Sequence, residues 1–216
     1  MIPRTASHRS PNALILLTFF ILSLVSAQAC ATRILVYGDS LSAGFGLEHK
    51  QDWPTLLQQN LDKSAPNTFI VINTSISGET TTGGLLRLQN NLNKHKPDVV
   101  VLELGANDGL RGNSLKTMRQ NLNEMIDKSQ AAGADVLLVG MHIPPNYGSR
   151  YSKAFNESFS HIADQRNIIL MPFLLDEVAL EPSLMQQDGL HPNAEAQPTI
   201  ARNVLKYLKP LLQQPE

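Results

Sequence analysis

The chain has 216 residues, with 18 Lys and Arg against 19 Asp and Glu and a formal net charge of -1. That balance argues against a nucleic-acid partner and against a strongly basic membrane-surface protein. A single cysteine excludes an internal disulfide, and no Cys/His cluster has zinc-like spacing, so the fold must rest on its apolar core.

The first 29 residues read as a secretory signal peptide. Arg4, His8 and Arg9 give a positive start, residues 13–25 run apolar but for Thr18 and Ser23, and Ala27-Gln28-Ala29 has the small-x-small form of a cleavage site. The apolar run falls short of the roughly 20 residues a spanning helix needs, so no stable membrane insertion is expected after cleavage. An uncleaved anchor and a lipid on Cys30 are the alternatives. Removal of residues 1–29, which hold two Arg and no acid, leaves 187 residues with 16 basic and 19 acidic side chains. That is a comfortable size for one domain, 30–216.

Along this domain, short apolar runs alternate with helical patterns. Residues 34–37 (Ile-Leu-Val-Tyr) form the first run, ended by Gly38. Residues 53–61 place Trp53, Leu56, Leu57 and Leu61 on one helical face, and residues 68–72 form the second run. Leu85, Leu88 and Leu92 mark the next helix, and residues 99–104 follow as the third run. Residues 114–132 carry Leu115, Met118, Leu122, Met125 and Ile126 at helical spacing, then residues 136–139 form the fourth run. A polar loop spans 140–150, a helix with Phe155, Phe159 and Ile162 spans 152–166, and residues 168–171 form the fifth run before Pro172. The last helix spans 194–212. Continuous apolar runs bounded by turn residues suit strands buried on both faces. Five strand–helix alternations predict an α/β fold: a three-layer α/β/α sandwich on a five-stranded, mostly parallel sheet with right-handed crossovers. Such sheets bind ligands beyond the carboxyl ends of their strands.

The residues just after the strands are therefore the candidates for chemistry. The first run leads into Gly38-Asp39-Ser40-Leu41-Ser42-Ala43-Gly44. Alone, this reads as a glycine-bounded turn whose Asp and Ser cap backbone groups. A phosphate loop is a rival, but neither GxxxxGK[ST] nor GxGxxG is present. The G-x-S-x-G elbow is missing too, because Ser42 stands where its second glycine belongs. The second run leads to Gly78, whose amide could approach a substrate oxygen, or which is a plain turn glycine. The third leads to Gly105-Ala106-Asn107-Asp108-Gly109, where Asn107 could aim its amide at a developing oxyanion or serve the turn. Near the end stands Asp188-Gly189-Leu190-His191. A serine needs a base, and a histidine base needs a partner that fixes its tautomer. Asp and His three residues apart can supply both, or Asp188 caps a loop and His191 is exposed. His95 and His161 lie in helical stretches, and His49 and His142 could line a pocket mouth but lack a suitably placed acid.

Read together, these blocks resemble the SGNH subgroup of the GDSL hydrolases. The family's four blocks stand here in order as Gly38-Asp39-Ser40, Gly78, Gly105-Ala106-Asn107-Asp108 and Asp188-Gly189-Leu190-His191. Residues 75–80, 102–105, 107–112 and 146–148 are similar to the family's bacterial periplasmic thioesterase and lysophospholipase group. The resemblance implies a flavodoxin-like SGNH fold and a secreted, periplasmic enzyme that cleaves acyl esters or thioesters, among them lysophospholipids, acyl-CoA and aryl esters. It implies Ser40 as nucleophile, His191 as general base and Asp188 as its orienting acid. The oxyanion hole would be the N–H of Ser40, the N–H of Gly78 and the side-chain amide of Asn107. Asp39 would brace the serine turn. No metal or organic cofactor is implied, the partner is a small-molecule ester or thioester, and a monomer is expected. The acyl chain would lie against the segments 110–115 and 143–151, with Leu110, Ile143, Pro144 and Tyr147 as lining candidates. A short-chain carbohydrate acetylesterase or a narrow arylesterase is the alternative enzyme, and a non-catalytic flavodoxin-like nucleotide-binding module is the alternative from another class.

Overall fold

The five apolar runs become five strands, β1 (Thr32–Gly38), β2 (Phe69–Asn73), β3 (Val99–Glu103), β4 (Asp135–Val139) and β5 (Ile169–Met171). They form one sheet in the order β2-β1-β3-β4-β5, and every pairing is parallel. The computed structural model describes Met1 and residues 31–212. Apart from Met1, the expected signal peptide and Cys30 lie outside the described residues.

Seven α-helices occur among the described residues: α1 (Ser40–Ala43), α2 (Trp53–Ser64), α3 (Thr81–His95), α4 (Ala106–Leu110), α5 (Leu115–Ala131), α6 (Ser149–Arg166) and α7 (Gln197–Leu212). Their starts are written in the sequence. The side chains of Asp52, Thr80 and Ser114 accept from the N–H of Thr55, Gly83 and Thr117, the usual N-cap arrangement. Pro54 sits in the first turn of α2, where its missing N–H costs nothing. α1 and α4 escaped the sequence reading, because four and five residues are too few to show a helical period.

The strand order places the layers. β1 connects outward to β2, and each later connection runs the other way across the sheet. Right-handed crossovers then put α2 on one face and α3, α5 and α6 on the opposite one. The packing agrees: α2 lies against α7, while α3 meets α5 and α5 meets α6. The strand order reverses between β1 and β3, so a crevice opens at their carboxyl ends.

Burial on both faces holds for the central strands. The last five residues of β1, all of β3 and the last four of β4 are buried. It does not hold for β2, whose residues are partly or fully exposed, nor for most of β5. These two are the sheet edges, each with a single neighbouring strand. The core centres on Tyr37, Trp53, Phe155 and Phe159, all buried. The rings of Phe155 and Phe159 meet edge to face at 5.4 Å. Phe159 also presses on Gly105, where a Cβ would come 3.1 Å from its ring.

Phe159→Ala is expected to cost about 3–5 kcal/mol through the cavity it opens. Urea unfolding at constant slope measures it. A cost below about 1 kcal/mol would contradict the packing described for this ring.

Candidate active site

β1 ends at Gly38, and the chain turns at once into α1. Asp39 caps this helix, its Oδ1 accepting from the N–H of Leu41 at 3.1 Å. Ser40 is therefore the first helical residue, standing at the mouth of the crevice. Its backbone N–H has no acceptor among the described residues.

A second segment brings the base. Residues 184–193 fold back on themselves: Met185 and Pro192 form an antiparallel bridge, the N–H of Gln186 donates to His191 O at 2.8 Å, and the N–H of Asn193 donates to Leu184 O at 2.8 Å. Asp188 and His191 sit on the loop between them. The Gln186 side chain docks this segment on the serine turn, donating to Phe45 O at 2.8 Å. Gln197 anchors the following helix by accepting from the N–H of Trp53 at 3.0 Å.

The three side chains meet in a line. His191 Nε2 lies 2.8 Å from Ser40 Oγ, and His191 Nδ1 lies 2.6 Å from Asp188 Oδ2. The other carboxylate oxygen of Asp188 accepts from the N–H of Leu190 at 2.9 Å and of His191 at 3.0 Å. These backbone donors, His191 N–H first, hold the Asp188 carboxyl down at about 2 against partial desolvation. Asp188 is thus ionised at neutral pH and can only accept. The imidazole proton then sits on Nδ1, which leaves Nε2 free to accept the Ser40 hydroxyl proton. The ring of Phe45 packs on His191 at 4.5 Å between centroids.

Two more candidates lie on segments tied to the serine turn. Gly78 ends a loop knitted to β1 by Ile76 N–H to Gly38 O at 3.1 Å and Gly38 N–H to the Ser75 hydroxyl at 3.0 Å. Gly78 is exposed with φ +77°, a conformation a side chain would strain. Arg87 braces the loop from α3, donating to Glu79 at 2.6 Å and to Thr74 O at 2.7 Å. Arg111 donates to Gly78 O at 2.9 Å. Asn107 enters through Gly105, whose φ of +123° turns the chain out of β3. The next residue, Asp108, is buried and holds α4 in place by accepting from the Thr81 N–H and hydroxyl, both at 2.8 Å. Asn107 Nδ2 donates one hydrogen to Asp39 Oδ2 at 3.0 Å. Its second N–H remains available to an incoming oxygen.

The structure therefore gathers Ser40, His191 and Asp188, with Gly78 on the loop after β2 and Asn107 in the first turn of α4. The lining candidates are more dispersed. Leu110 is half-buried, and Pro144 and Tyr147 are exposed. Ile143, at 5% exposure, belongs to the core, where a Cβ on Gly109 would come 2.9 Å from it. An open depression of about 530 Å³ lies nearby, lined by Gly148, Ser149, Arg150, Tyr151 and Ala154. The Tyr151 hydroxyl reaches Asn113 O at 3.0 Å, joining the two expected acyl-binding segments. His142 stacks on Phe173 at 4.2 Å between centroids, beyond β4 and β5, and His49 is exposed. The sequence reading missed Phe45, Arg87, Glu103 and Arg111. A lone charged residue inside the apolar run 99–104 was the available signal for Glu103. The others act through partners distant in the chain.

Residues 36–197 match the GDSL-like Lipase/Acylhydrolase family. The chain is 46% identical to Esterase TesA of Pseudomonas aeruginosa over 93% of its own length and all of the relative's. It is 42% identical to Thioesterase 1/protease 1/lysophospholipase L1 of Escherichia coli, over 89% of the chain and 91% of that protein. The crystal structure of the psychrotrophic esterase EstA from Pseudoalteromonas sp., inhibited by monoethylphosphonate, has a TM-score of 0.81 and 45% identity, covering 85% of this chain and all of that one.

Asp39 offers a test of the site's electrostatics. Burial is the main influence and raises its carboxyl to about 6, against the pull of Leu41 N–H and Asn107. The folded chain thus holds this proton more tightly than the unfolded one, whose value is 3.8. The contribution of Asp39 to stability is then fully present below the unfolded value and lost as pH rises through about 6. Asp39→Asn carries no such charge, so its Tm relative to wild type is expected to rise between about pH 4 and pH 7. A difference that stays flat over this range would contradict the buried anion.

Proposed function

The chain belongs to the GDSL-like lipase/acylhydrolase family, and on that premise we propose that it is a serine hydrolase of acyl esters and thioesters with Ser40 as nucleophile. The observation that carries the reading is the unbroken line Ser40 Oγ–His191–Asp188, at 2.8 and 2.6 Å. Its tautomer is set by an ionised carboxylate.

In this reading Ser40 Oγ attacks the acyl carbon while His191 Nε2 takes the hydroxyl proton. Negative charge gathers on the former carbonyl oxygen. The free N–H of Ser40, the N–H of Gly78 and the second N–H of Asn107 receive it. Such donors act where charge develops, and loss of one costs about 10²- to 10³-fold in rate. Asp188 stabilises the imidazolium that forms. His191 then returns the proton to the leaving alcohol or thiol oxygen or sulfur, and the acyl group stays on Ser40. Water, deprotonated by His191, attacks the acyl-serine; the bond to Ser40 Oγ breaks, His191 returns the proton to that oxygen, and the acid leaves.

The acyl chain is placed along the segments 110–115 and 143–151. Leu110, Pro144 and Tyr147 offer partly or fully exposed side chains there. Ile143 shapes the wall from behind. The name of the Escherichia coli relative supports thioesters and lysophospholipids as substrates. The charged start, apolar run and Ala27-Gln28-Ala29 support export to the bacterial periplasm and a single mature domain, 30–216. Acyl-CoA is a cytoplasmic metabolite, so lysophospholipids and other esters suit that compartment better.

Ser40→Ala is expected to leave the thermal midpoint unchanged and to abolish hydrolysis of p-nitrophenyl esters. Activity above about a thousandth of wild type would assign the chemistry to another group. Tyr147→Ala is expected to change the preference among p-nitrophenyl esters from acetate to palmitate. An unchanged profile would remove Tyr147 from the acyl path.

A further inference from the structure

Glu103 is the last residue of β3 and is fully buried, yet it takes no part in the mechanism above. In the sheet register it stands opposite Gly38, the last residue of β1. Its carboxyl lies over that glycine: a Cβ on Gly38 would come 2.2 Å from Glu103 Oε2. The glycine that precedes Asp39-Ser40 is small here because a carboxyl occupies the space of its side chain.

One oxygen of this carboxyl holds both ends of the serine turn. Glu103 Oε2 accepts from the backbone N–H of Asp39 at 3.1 Å and from the Ser42 hydroxyl at 2.6 Å. Between these two anchors the N–H of Leu41 is taken by Asp39 Oδ1. Asn73 holds the far end again, donating to Ser42 O at 2.7 Å. The N–H groups on either side of Ser40, those of Asp39 and Leu41, are therefore engaged, and its own N–H has no acceptor among the described residues.

We propose that Glu103 is the positioning residue of the nucleophile turn: its Oε2 binds Asp39 and Ser42 together so that the Ser40 N–H and Oγ are held toward the crevice. This rests on the assignment of Ser40 as nucleophile. Glu103 acts as an acceptor, from Asp39 and from Ser42. Burial, and then the nearby Asp39 anion, raise its carboxyl well above the ordinary range. Its other oxygen, Oε1, is buried with no partner among the described residues. A buried oxygen without a partner disfavours the charged form, in the same direction as that shift.

The role predicts a particular kinetic signature. Glu103→Ala frees both anchors and misplaces the Ser40 N–H and Oγ. Its kcat is expected to fall about 100-fold with KM within about twofold, since displacements near 1 Å carry such losses. Glu103→Gln keeps a carbonyl acceptor in the place of Oε2. It is expected to retain kcat within about threefold. The assignment is overturned if Glu103→Ala keeps kcat within about threefold, if the loss falls on KM, or if Glu103→Gln loses as much as Glu103→Ala. Should Glu103→Ala fail to fold, Ser42→Ala decides. It removes one anchor and is expected to lower kcat about five- to tenfold at constant KM, and an unchanged kcat overturns the assignment. Activity that survives Ser40→Ala would instead count against the nucleophile, whereas a Ser40-dependent enzyme indifferent to these substitutions counts against Glu103 alone.

Discussion

Gly38 and Glu103 stand opposite each other where β1 and β3 end, and the chain leaves this pair in opposite directions across the sheet. Parallel pairing fixes that junction, because a slip of one residue would turn every side chain to the other face. From β1 the chain enters the short helix headed by Ser40. From β3 it enters the short helix that carries Asn107. Their separation is set by strand spacing, about 4.8 Å, rather than by any flexible loop. The Asp188–His191 segment arrives from farther along the chain, and it is pinned to the serine turn at Phe45 and to the fold through Gln197.

Charge is arranged as carefully as distance. Three carboxyl groups lie at or beneath the crevice, and their environments drive them apart. Asp188 is partly exposed and held by backbone donors, so it stays ionised and governs the tautomer of His191. Asp39 is buried but hydrogen-bonded to Leu41 and Asn107, so it titrates near 6 and is mainly anionic at neutral pH. Glu103 is fully buried next to Asp39, and burial, then the Asp39 charge, raise its carboxyl well above the ordinary range. Groups whose environments separate their proton affinities in this way are assigned to different tasks. Here the tasks are orienting a base, orienting an amide and holding a turn.

Much of this was legible in the sequence, and the exceptions have physical causes. The five apolar runs gave the strands to within two residues at either end, because burial on both faces writes a continuous signal. The edges β2 and β5 carried the same apolar pattern without the same burial, since composition does not say which strands end up with one neighbour. Gly38, Ser40, Gly78, Asn107, Asp188 and His191 could be picked out because each follows a strand or stands in a compact motif. Glu103 reads as part of an apolar strand, and its worth depends on facing Gly38, 65 residues earlier, across a sheet register that no local pattern encodes. Arg87 and Arg111 likewise act on a loop they meet only in the folded chain. Ile143 was expected at the surface of the acyl path, but a loop residue after a buried strand can turn inward, and this one packs beneath Gly109.

The central claim is that Ser40 is the one hydroxyl activated for acyl transfer, by its 2.8 Å contact with His191. Labelling the folded protein with a fluorophosphonate and mapping the modified peptide tests it most directly. The account predicts a single adduct, on Ser40, that disappears in His191→Ala. An adduct on another residue, or equal labelling of Ser40 without His191, would contradict it.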